Sequence, residues 1–227
     1  MEYQWDFGVL LRYVPLFVRG VGYTLGYTVV TVVAGLVLGL LLGLGRLSRS
    51  RLVNAPLVAF IEVFRCTPLL VQIVWFYYAL PVVLKRVLQR EVDIPPWLAA
   101  GMVLSFYTAA FYAEIFRGGI LSIEAGQWDA ARALGLRRWT MMRQVVLPQA
   151  VRRMVPPFMN QSIIQLKNTS LVSTIAIPDL LYQGTLITSD TFRPMETYTV
   201  IAVIYFVLLF PATRLVQEYE RRLALGR

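Results

Sequence analysis

Uncharged, apolar stretches alternate with short basic segments along most of the chain. The first stretch runs for 26 residues between Arg19 and Arg46, and several others approach the length that a membrane helix needs. Because a helix requires about 20 mostly apolar residues to cross the hydrocarbon core of a bilayer, each stretch predicts a membrane-spanning helix. We predict five spans, at about residues 20–45, 52–84, 94–116, 154–177 and 197–216, the fourth being the most polar.

Three glycines repeat every four residues inside the first span. Gly35, Gly39 and Gly43 therefore share one face of the predicted helix. Small residues at this spacing let a second helix approach closely. We expect close helix packing at this face; the alternative is that glycine is simply common in membrane helices.

The composition agrees with an all-α polytopic membrane protein without a soluble domain. Of the 227 residues, 57% are hydrophobic and 15% are charged, and the mean hydropathy is +0.60. A net charge of +9 is typical of some nucleic-acid-binding proteins, but here the arginines cluster between apolar stretches. This placement indicates basic cytoplasmic loops instead.

The distribution of lysine and arginine predicts the orientation in the membrane. With five spans, the loops on one side, together with the tail at residues 218–227, carry fourteen arginines, including Arg49 and Arg227. The loops on the other side, together with the N-terminal segment at residues 1–18, carry six lysines and arginines. The positive-inside rule then places the N-terminus outside the cell and the C-terminus in the cytoplasm.

Several kinds of chemistry lack the residues that they need. The chain contains one cysteine, Cys66, and no histidine, so an intrachain disulfide is impossible and the commonest metal ligand and general base are missing. The acids are scattered, and the sequence contains no Gly-x-x-x-x-Gly-Lys-Ser/Thr phosphate loop. We therefore predict no metal site and no catalytic residue, which argues against an intramembrane enzyme.

The longest basic loop, at residues 117–153, shows a helical pattern of its own. Helix formers from Asp129 to Leu134 precede Gly135, which can end a helix, and a second short helix is expected at residues 137–146, stopped by Pro148. Trp128, Ala131 and Leu134 would share one side. Such a loop can dock on another protein, or it can lie on anionic lipid.

A spaced motif narrows this choice. Asp129-Ala130-Ala131 is followed after three residues by Gly135, and Leu147-Pro148 follows further on. This spacing resembles the EAA loop of bacterial ABC importer permeases, with Asp129 in place of the usual Glu and Val145 in place of Ile. The segment FRCTPLLVQ resembles a signature of polar amino-acid permeases, with Cys66 in place of the usual Gly. The resemblance runs from about Arg19 to the last span.

The resemblance implies a type I ABC importer transmembrane domain at residues 19–217, in the cytoplasmic membrane of a bacterium. It implies that the loop couples the chain to a cytoplasmic ABC ATPase dimer, which binds ATP and Mg, while this chain binds no cofactor. The other implied partners are an identical or related permease subunit and an extracytoplasmic amino-acid-binding protein. The residues expected to contact the ATPase are Glu124, Gln127, Asp129, Ala130, Ala131 and Gly135.

Polar residues in the fourth span are candidates for a substrate pathway, because polar groups within a membrane are costly and usually functional. Gln161, Gln165 and Asn168 recur at i, i+4 and i+7, so they share one face. This face lines a cavity, or it holds the bundle together by interhelical hydrogen bonds. The predicted pathway residues are Arg65, Thr67, Gln72, Asn160, Gln161, Gln165, Lys167, Asn168, Thr169 and Ser170.

Two cations lie far from the loops, and they bear on the substrate. If Arg65 and Lys167 both face the cavity, they favour an acidic amino acid such as glutamate or aspartate, whose carboxylates they would bind. Arg65 also lies three residues after Glu62, so a structural ion pair is an alternative. Glu114 and Arg117, also three apart, are expected to form a gate or to anchor the loop.

The sequence therefore predicts the permease subunit of an ATP-driven importer for a polar amino acid. The alternative is a secondary transporter or channel that works without an ATPase.

Overall fold

The computed structural model describes residues 3–48 and 50–225, with side chains as far as Leu223. Arg49 and Arg227 of the cytoplasmic charge count lie outside the described residues. The described chain folds into helices throughout. They are α1 (Val14–Gly45), α2 (Arg51–Cys66), α3 (Leu69–Val74), α4 (Leu80–Leu88), α5 (Pro96–Leu121), α6 (Ala125–Ala133), α7 (Arg138–Met141), α8 (Leu147–Asn168), α9 (Leu180–Thr191) and α10 (Pro194–Leu225).

Short turns of other helix types join several of these elements. Two 3₁₀ turns occupy Gly8–Tyr13 and Thr169–Ile175, and two π-helical turns occupy Trp75–Ala79 and Met142–Val146. The first 3₁₀ turn runs directly into α1, and the first π turn joins α3 to α4 in one continuous helical segment.

Within the described residues, four helical segments are long and apolar enough to cross a membrane. They are Gly8–Gly45, Leu69–Leu88, Pro96–Leu121 and Pro194–Leu223. Gly8–Gly45 and Pro194–Leu223 contain the predicted first and fifth spans, and Pro96–Leu121 overlaps the predicted third span from residue 96 onwards.

The predicted second span, at residues 52–84, is not one continuous helix. Pro68 disfavours a helical conformation in the residue before it, and Thr67 is accordingly extended, with φ −105° and ψ 144°. The chain therefore breaks between α2 and α3, and only Leu69–Leu88 has the length and hydropathy of a crossing helix.

The predicted fourth span, at residues 154–177, is α8 followed by a 3₁₀ turn. This helix is absent from the four apolar segments because its sequence is too polar. It also begins earlier than expected, since Pro148 does not stop the preceding helix. The π-helical turn before Pro148 changes the hydrogen-bonding register, so the missing N–H is accommodated and α7 continues into α8.

Close packing between α1 and α5 forms the centre of the fold, as the glycine spacing predicted. A Cβ atom added at any of the three glycines would collide with a side chain of α5. At Gly35, Gly39 and Gly43 it would lie 2.7, 2.6 and 2.9 Å from the nearest side-chain atoms of Thr108, Tyr112 and Phe116. The absence of side chains at these positions is what lets the two helix backbones meet.

Helix α9 was not predicted, and it begins at a buried acid. The carboxylate of Asp179 accepts hydrogen bonds from the backbone N–H groups of Leu181 (3.2 Å) and Tyr182 (2.9 Å), and Asp179 is 1% exposed. Burial raises the pKa of Asp179 to about 6, although the two backbone hydrogen bonds oppose this shift.

Asp179→Ala is expected to lower the stability of the protein by about 1 kcal/mol, because the helix loses its cap. Asp179→Asn keeps an N-cap acceptor and loses the charge. The pKa of Asp179 is higher in the folded state, so the contribution of Asp179 to the free energy of unfolding decreases as the pH rises from 3.8 to about 6. The Asn variant does not titrate, so this pH dependence is lost. Thermal unfolding in detergent across that pH range measures both effects. Equal destabilisation by Asn and Ala would show that capping is not the role of this side chain.

Candidate functional site

The loop between α5 and α8 folds into a compact turn centred on Gly135. Gly135 has φ +70°, and its N–H donates to the carbonyl of Arg132 at 2.9 Å, while the N–H of Leu136 donates to the carbonyl of Ala131 at 3.1 Å. This pair of bonds is the Schellman arrangement, which ends a helix with a left-handed residue. The predicted helix end at Gly135 is confirmed, although the helix before it begins at Ala125.

The loop is packed firmly against the two helices that it connects. Ala131 is 3% exposed and lies in an apolar cluster with the end of α5 and the start of α8. The other buried members of this cluster are Ile120, Ile123, Met141, Val146, Ala150 and Met154. Because these side chains come from α5, α7, α8 and the turns between them, the loop packs together with the end of α5 and the start of α8.

The exposed surface of the loop differs from the predicted face. Trp128 and Ala131 share one side of α6, as predicted, but that side is turned inward, whereas Leu134 lies beyond the last residue of the helix and is 79% exposed. Trp139, which the sequence analysis missed, is 73% exposed in the neighbouring short helix. Exposed aromatic and aliphatic side chains beside charged ones are typical of protein interfaces.

Most of the residues predicted to contact the ATPase are exposed on the surface of the loop. Those whose side chains or backbone are exposed are Glu124, Gln127, Asp129, Ala130 and Gly135. Asp129 forms an ion pair with Arg132 at 2.6 Å, so its carboxylate is held close to its own helix.

The predicted polar face of α8 points into the protein. Gln161 and Gln165 are 6% and 0% exposed, and Nε2 of Gln165 donates to Oγ1 of Thr31 on α1 at 3.0 Å. For Gln165 the structure thus favours interhelical hydrogen bonding. Nε2 of Gln161 and Nδ2 of Asn168 are buried without a hydrogen-bond partner among the described residues. Thr169 is fully buried, and Ser170 is half-buried.

A second face of α8 is exposed and carries other predicted pathway residues. Asn160, Ile164 and Lys167 are exposed at i, i+4 and i+7. Nδ2 of Asn160 donates to Oε1 of Glu220 on α10 at 3.1 Å. Lys167 takes part in none of the ion pairs found among residues 3–48 and 50–225.

The predicted pathway residues near the break between α2 and α3 form contacts within the chain. Nε2 of Gln72 donates to the carbonyls of Phe64 and Thr67, both at 3.0 Å, and to Oγ1 of Thr67 at 2.6 Å. Arg65 forms an ion pair with Glu62 at 3.4 Å, which is the structural alternative to a role in substrate binding. Its guanidinium lies 5.6 Å from the centre of the Phe111 ring.

Glu114 and Arg117 meet at the loop end of the bundle, together with a residue that sequence reasoning missed. Glu114 accepts from Arg117 at 2.9 Å and from Arg46, at the end of α1, at 3.2 Å. Arg46 also donates to Asn54 of α2 at 2.9 Å. The predicted pair is therefore part of a network that joins α1, α2 and α5. Arg46 lies 68 residues from Glu114, so no local pattern could have linked them.

A second unpredicted cluster lies at the opposite end of the bundle. Glu196 is fully buried and accepts from Arg193 at 2.8 Å, from the backbone N–H of Asp6 at 3.0 Å, and from the hydroxyl of Tyr3. These contacts hold the N-terminal segment against the start of α10.

The family described as binding-protein-dependent transport system inner membrane component matches residues 35–225. The glutamine transport system permease protein GlnP of Escherichia coli (strain K12) is 37% identical over 220 residues, covering 97% of this chain and 98% of the relative. The glutamate/aspartate import permease protein GltK of Escherichia coli O157:H7 is 35% identical over 223 residues, covering 98% of this chain and 100% of the relative.

Solved structures show the same relationship. The crystal structure of an amino acid ABC transporter with histidines superimposes with a TM-score of 0.89 at 36% identity, covering 97% of this chain and 100% of that chain. An inward-facing structure of the MetNI methionine ABC transporter has a TM-score of 0.65 at 22% identity, covering 90% of this chain and 96% of that chain, which shows a shared fold.

These matches extend over nearly the whole chain and confirm the resemblance to polar amino-acid permeases that the loop motif and the FRCTPLLVQ segment indicated. Permease subunits of ABC transporters are not catalytic, and the ATPase is a separate chain. The chain belongs to the family of binding-protein-dependent transport system inner membrane components, and it is a multi-pass permease subunit of a bacterial ABC importer.

Proposed function

We propose that this chain moves a polar amino acid into the cytoplasm by alternating access, driven by a separate ATPase that docks on residues 124–148. The burial of Ala131 in one apolar cluster with Val146, Ala150 and Met154 carries this proposal, because it joins the loop and the start of α8 in one packed unit. Closure of an ATPase pair would move this unit and rock the helices between outward-open and inward-open states. Permeases for glutamine and for glutamate/aspartate among the similar proteins support the substrate class.

The proposed topology has five spans, with the N-terminus outside and α8 as the fourth crossing helix. A helix of 22 residues is about 33 Å long, which is enough to cross the hydrocarbon core. Its polar side chains need not face lipid, because Gln161 and Gln165 are buried against other helices. The four apolar segments and α8 together account for five crossings.

The proposed substrate pathway follows the exposed face of α8, between this chain and a second permease subunit. Asn160 and Lys167 lie on that face, and Lys167 offers a cation that no carboxylate among the described residues neutralises. A substrate carboxylate would complement this charge. Arg65 could contribute a second cation once its exposed pair with Glu62 opens, which would favour glutamate or aspartate.

Lys167→Ala is expected to raise the substrate concentration for half-maximal uptake about tenfold, since a charge-assisted hydrogen bond to the substrate is lost. Uptake of labelled glutamate, aspartate and glutamine into proteoliposomes measures the effect. Lys85→Ala is the matched control, because Lys85 is an exposed lysine that pairs with Glu91 outside the proposed pathway. Unchanged kinetics in the Lys167 variant would remove this residue from the substrate pathway.

The proposed assembly contains two permease subunits, two ATPase subunits that hold ATP and Mg, and an extracytoplasmic amino-acid-binding protein. Reconstitution of the complete complex into proteoliposomes tests it. Uptake should require ATP inside the vesicles and binding protein outside. Uptake by this chain alone, without the ATPase, would contradict the proposal and favour a secondary transporter or channel.

A further inference from the structure

A cavity of about 1090 Å³ lies among α5, α8 and α10 at the end of the bundle that carries the docking loop. Its walls come from the last residues of α5, the first half of α8 and the last residues of α10. The residues proposed for the substrate pathway do not line it. Gly118 of α5 borders open space, since a Cβ atom added there would meet no atom within 4 Å.

The polarity of this cavity changes along its depth. Helix α5 runs towards the loop and α8 runs away from it, so Ile115, Pro156 and Pro157 lie at the deep end of the cavity. Arg152 and Gln149 lie nearer the loop, and Ser122 lies at the same level. The α5 and α8 walls are therefore apolar at the deep end and polar near the loop, while the Glu220 carboxylate of α10 lies at the deep end, where it accepts from Asn160.

The charged lining is predominantly basic. Arg152, Arg153 and Arg222 line the cavity, and Glu220 is the one acid among the described lining residues. Glu220 accepts from Asn160, Arg153 donates to the backbone carbonyl of Ser122, and Arg222 pairs with Glu218. The guanidinium of Arg152 forms none of the ion pairs found in residues 3–48 and 50–225, so it is free to bind an anion.

The cavity also lies at the depth where phospholipid headgroups are found. The last candidate span, Pro194–Leu223, has 30 residues and is about 45 Å long, whereas the hydrocarbon core is about 30 Å thick. Its final residues, which line the cavity, therefore extend into the headgroup region. Basic pockets between membrane helices at this depth are suited to anionic lipid headgroups.

We propose that this cavity binds one anionic phospholipid, with its phosphate at Arg152 and an acyl chain against Ile115, Pro156 and Pro157. The apolar deep part of the α5 and α8 walls and the arginines nearer the loop match an amphiphile in the orientation that the bilayer imposes, and the Glu220 carboxylate is already occupied by Asn160. The lipid would also contact the docking loop indirectly. Gln149 lines the cavity, and its Nε2 donates to Oε1 of Gln127 in α6 at 3.3 Å.

Native mass spectrometry of the full-length chain in detergent tests this site. Phosphatidylglycerol and phosphatidylcholine with identical acyl chains are the two probes, and inorganic phosphate is the competitor. The wild-type chain is expected to bind phosphatidylglycerol about tenfold more tightly, because a charge-assisted bond to Arg152 is available. Arg152→Gln should remove that preference, and Gly118→Phe should prevent binding of both lipids by filling the cavity.

Two matched variants control for general effects. Arg143→Gln removes an exposed arginine of the loop that does not line the cavity, and Gly22→Phe fills open space on α1. Both should retain the preference for phosphatidylglycerol. Equal binding of the two lipids by the wild type, or the same loss in the Arg143 and Arg152 variants, would overturn the proposal.

Two further results would assign the cavity to another occupant. Displacement of the lipid by millimolar inorganic phosphate would show that a free anion is held there. The spectra also report the number of permease chains. If Gly118→Phe loses a second chain instead of a lipid, the cavity is a subunit interface and the proposal is wrong.

Discussion

Gly135→Val is expected to lower ATP-coupled uptake by about tenfold or more while the chain still inserts into the membrane. The φ of +70° at Gly135 is unfavourable for any residue with a Cβ atom, by about 1–2 kcal/mol, and more for a β-branched one. No atom lies within 4 Å of an added Cβ, so the effect comes from the backbone alone. The two short helices that Gly135 joins would lose their relative placement, and with it the proposed docking surface.

Two other substitutions separate this backbone effect from loss of surface contacts. Gly135→Asn should retain most of the uptake, because asparagine tolerates the left-handed conformation. Gly126→Val changes an exposed glycine of the same loop that has open space around it and a helical backbone. ATPase stimulation and uptake in proteoliposomes are the measurements. Normal uptake in the Gly135→Val variant would contradict the proposed coupling role of the loop.

Gly39→Leu is expected to prevent stable folding of the chain. An added Cβ would lie 2.6 Å from Cβ of Tyr112 and 3.0 Å from the carbonyl oxygen of Ala109, so the contact is partly with backbone that cannot rotate away. Helix α1 and helix α5 would have to separate along their central contact, at a cost of about 3 kcal/mol or more. The yield of monodisperse protein in detergent and its thermal unfolding temperature measure the loss.

Gly26→Leu is the matched control, because it places the same side chain on the same helix where no atom lies within 4 Å of the new Cβ. It should yield folded protein in amounts similar to the wild type. If Gly39→Leu is tolerated as well as Gly26→Leu, the packing of α1 on α5 is not what requires glycine at this position.

The glycine face of α1 shows how far local pattern predicts packing in this protein. The spacing of Gly35, Gly39 and Gly43 predicted a close helix contact, because four-residue periodicity places them on one side of any α-helix. The pattern did not identify the partner helix, α5, because the contacting residues are separated from the glycines by 70 positions or more.

The polar face of α8 shows where periodicity is insufficient. The spacing of Gln161 and Gln165 established that they share a face, and the structure confirms it. Whether that face lines a cavity or meets another helix depends on what lies beside it. Thr31 comes from α1, 134 residues from Gln165, and only the folded chain brings the two side chains together.

The break at Thr67 and Pro68 is a different case, because it depends on two neighbouring residues. The restriction that Pro68 places on Thr67 predicts an interruption, yet the apolar run across residues 52–84 suggested one span. The π-helical turn before Pro148 has the opposite effect, since it carries a helix past a residue expected to stop it. The strength of a proline as a helix breaker thus depends on the hydrogen-bonding register around it.

By itself, the sequence determined the membrane class, most of the crossing helices, the position of the helical loop between α5 and α8, and the family. These depend on hydrophobicity, charge and motif spacing along the chain, which act over short distances in sequence. The tertiary structure decided that Ala131 is buried, that Arg46 joins Glu114, and that a cavity with basic and apolar lining residues lies beside Arg152. Such features depend on distances between helices far apart in the sequence, which are set only when the whole bundle packs.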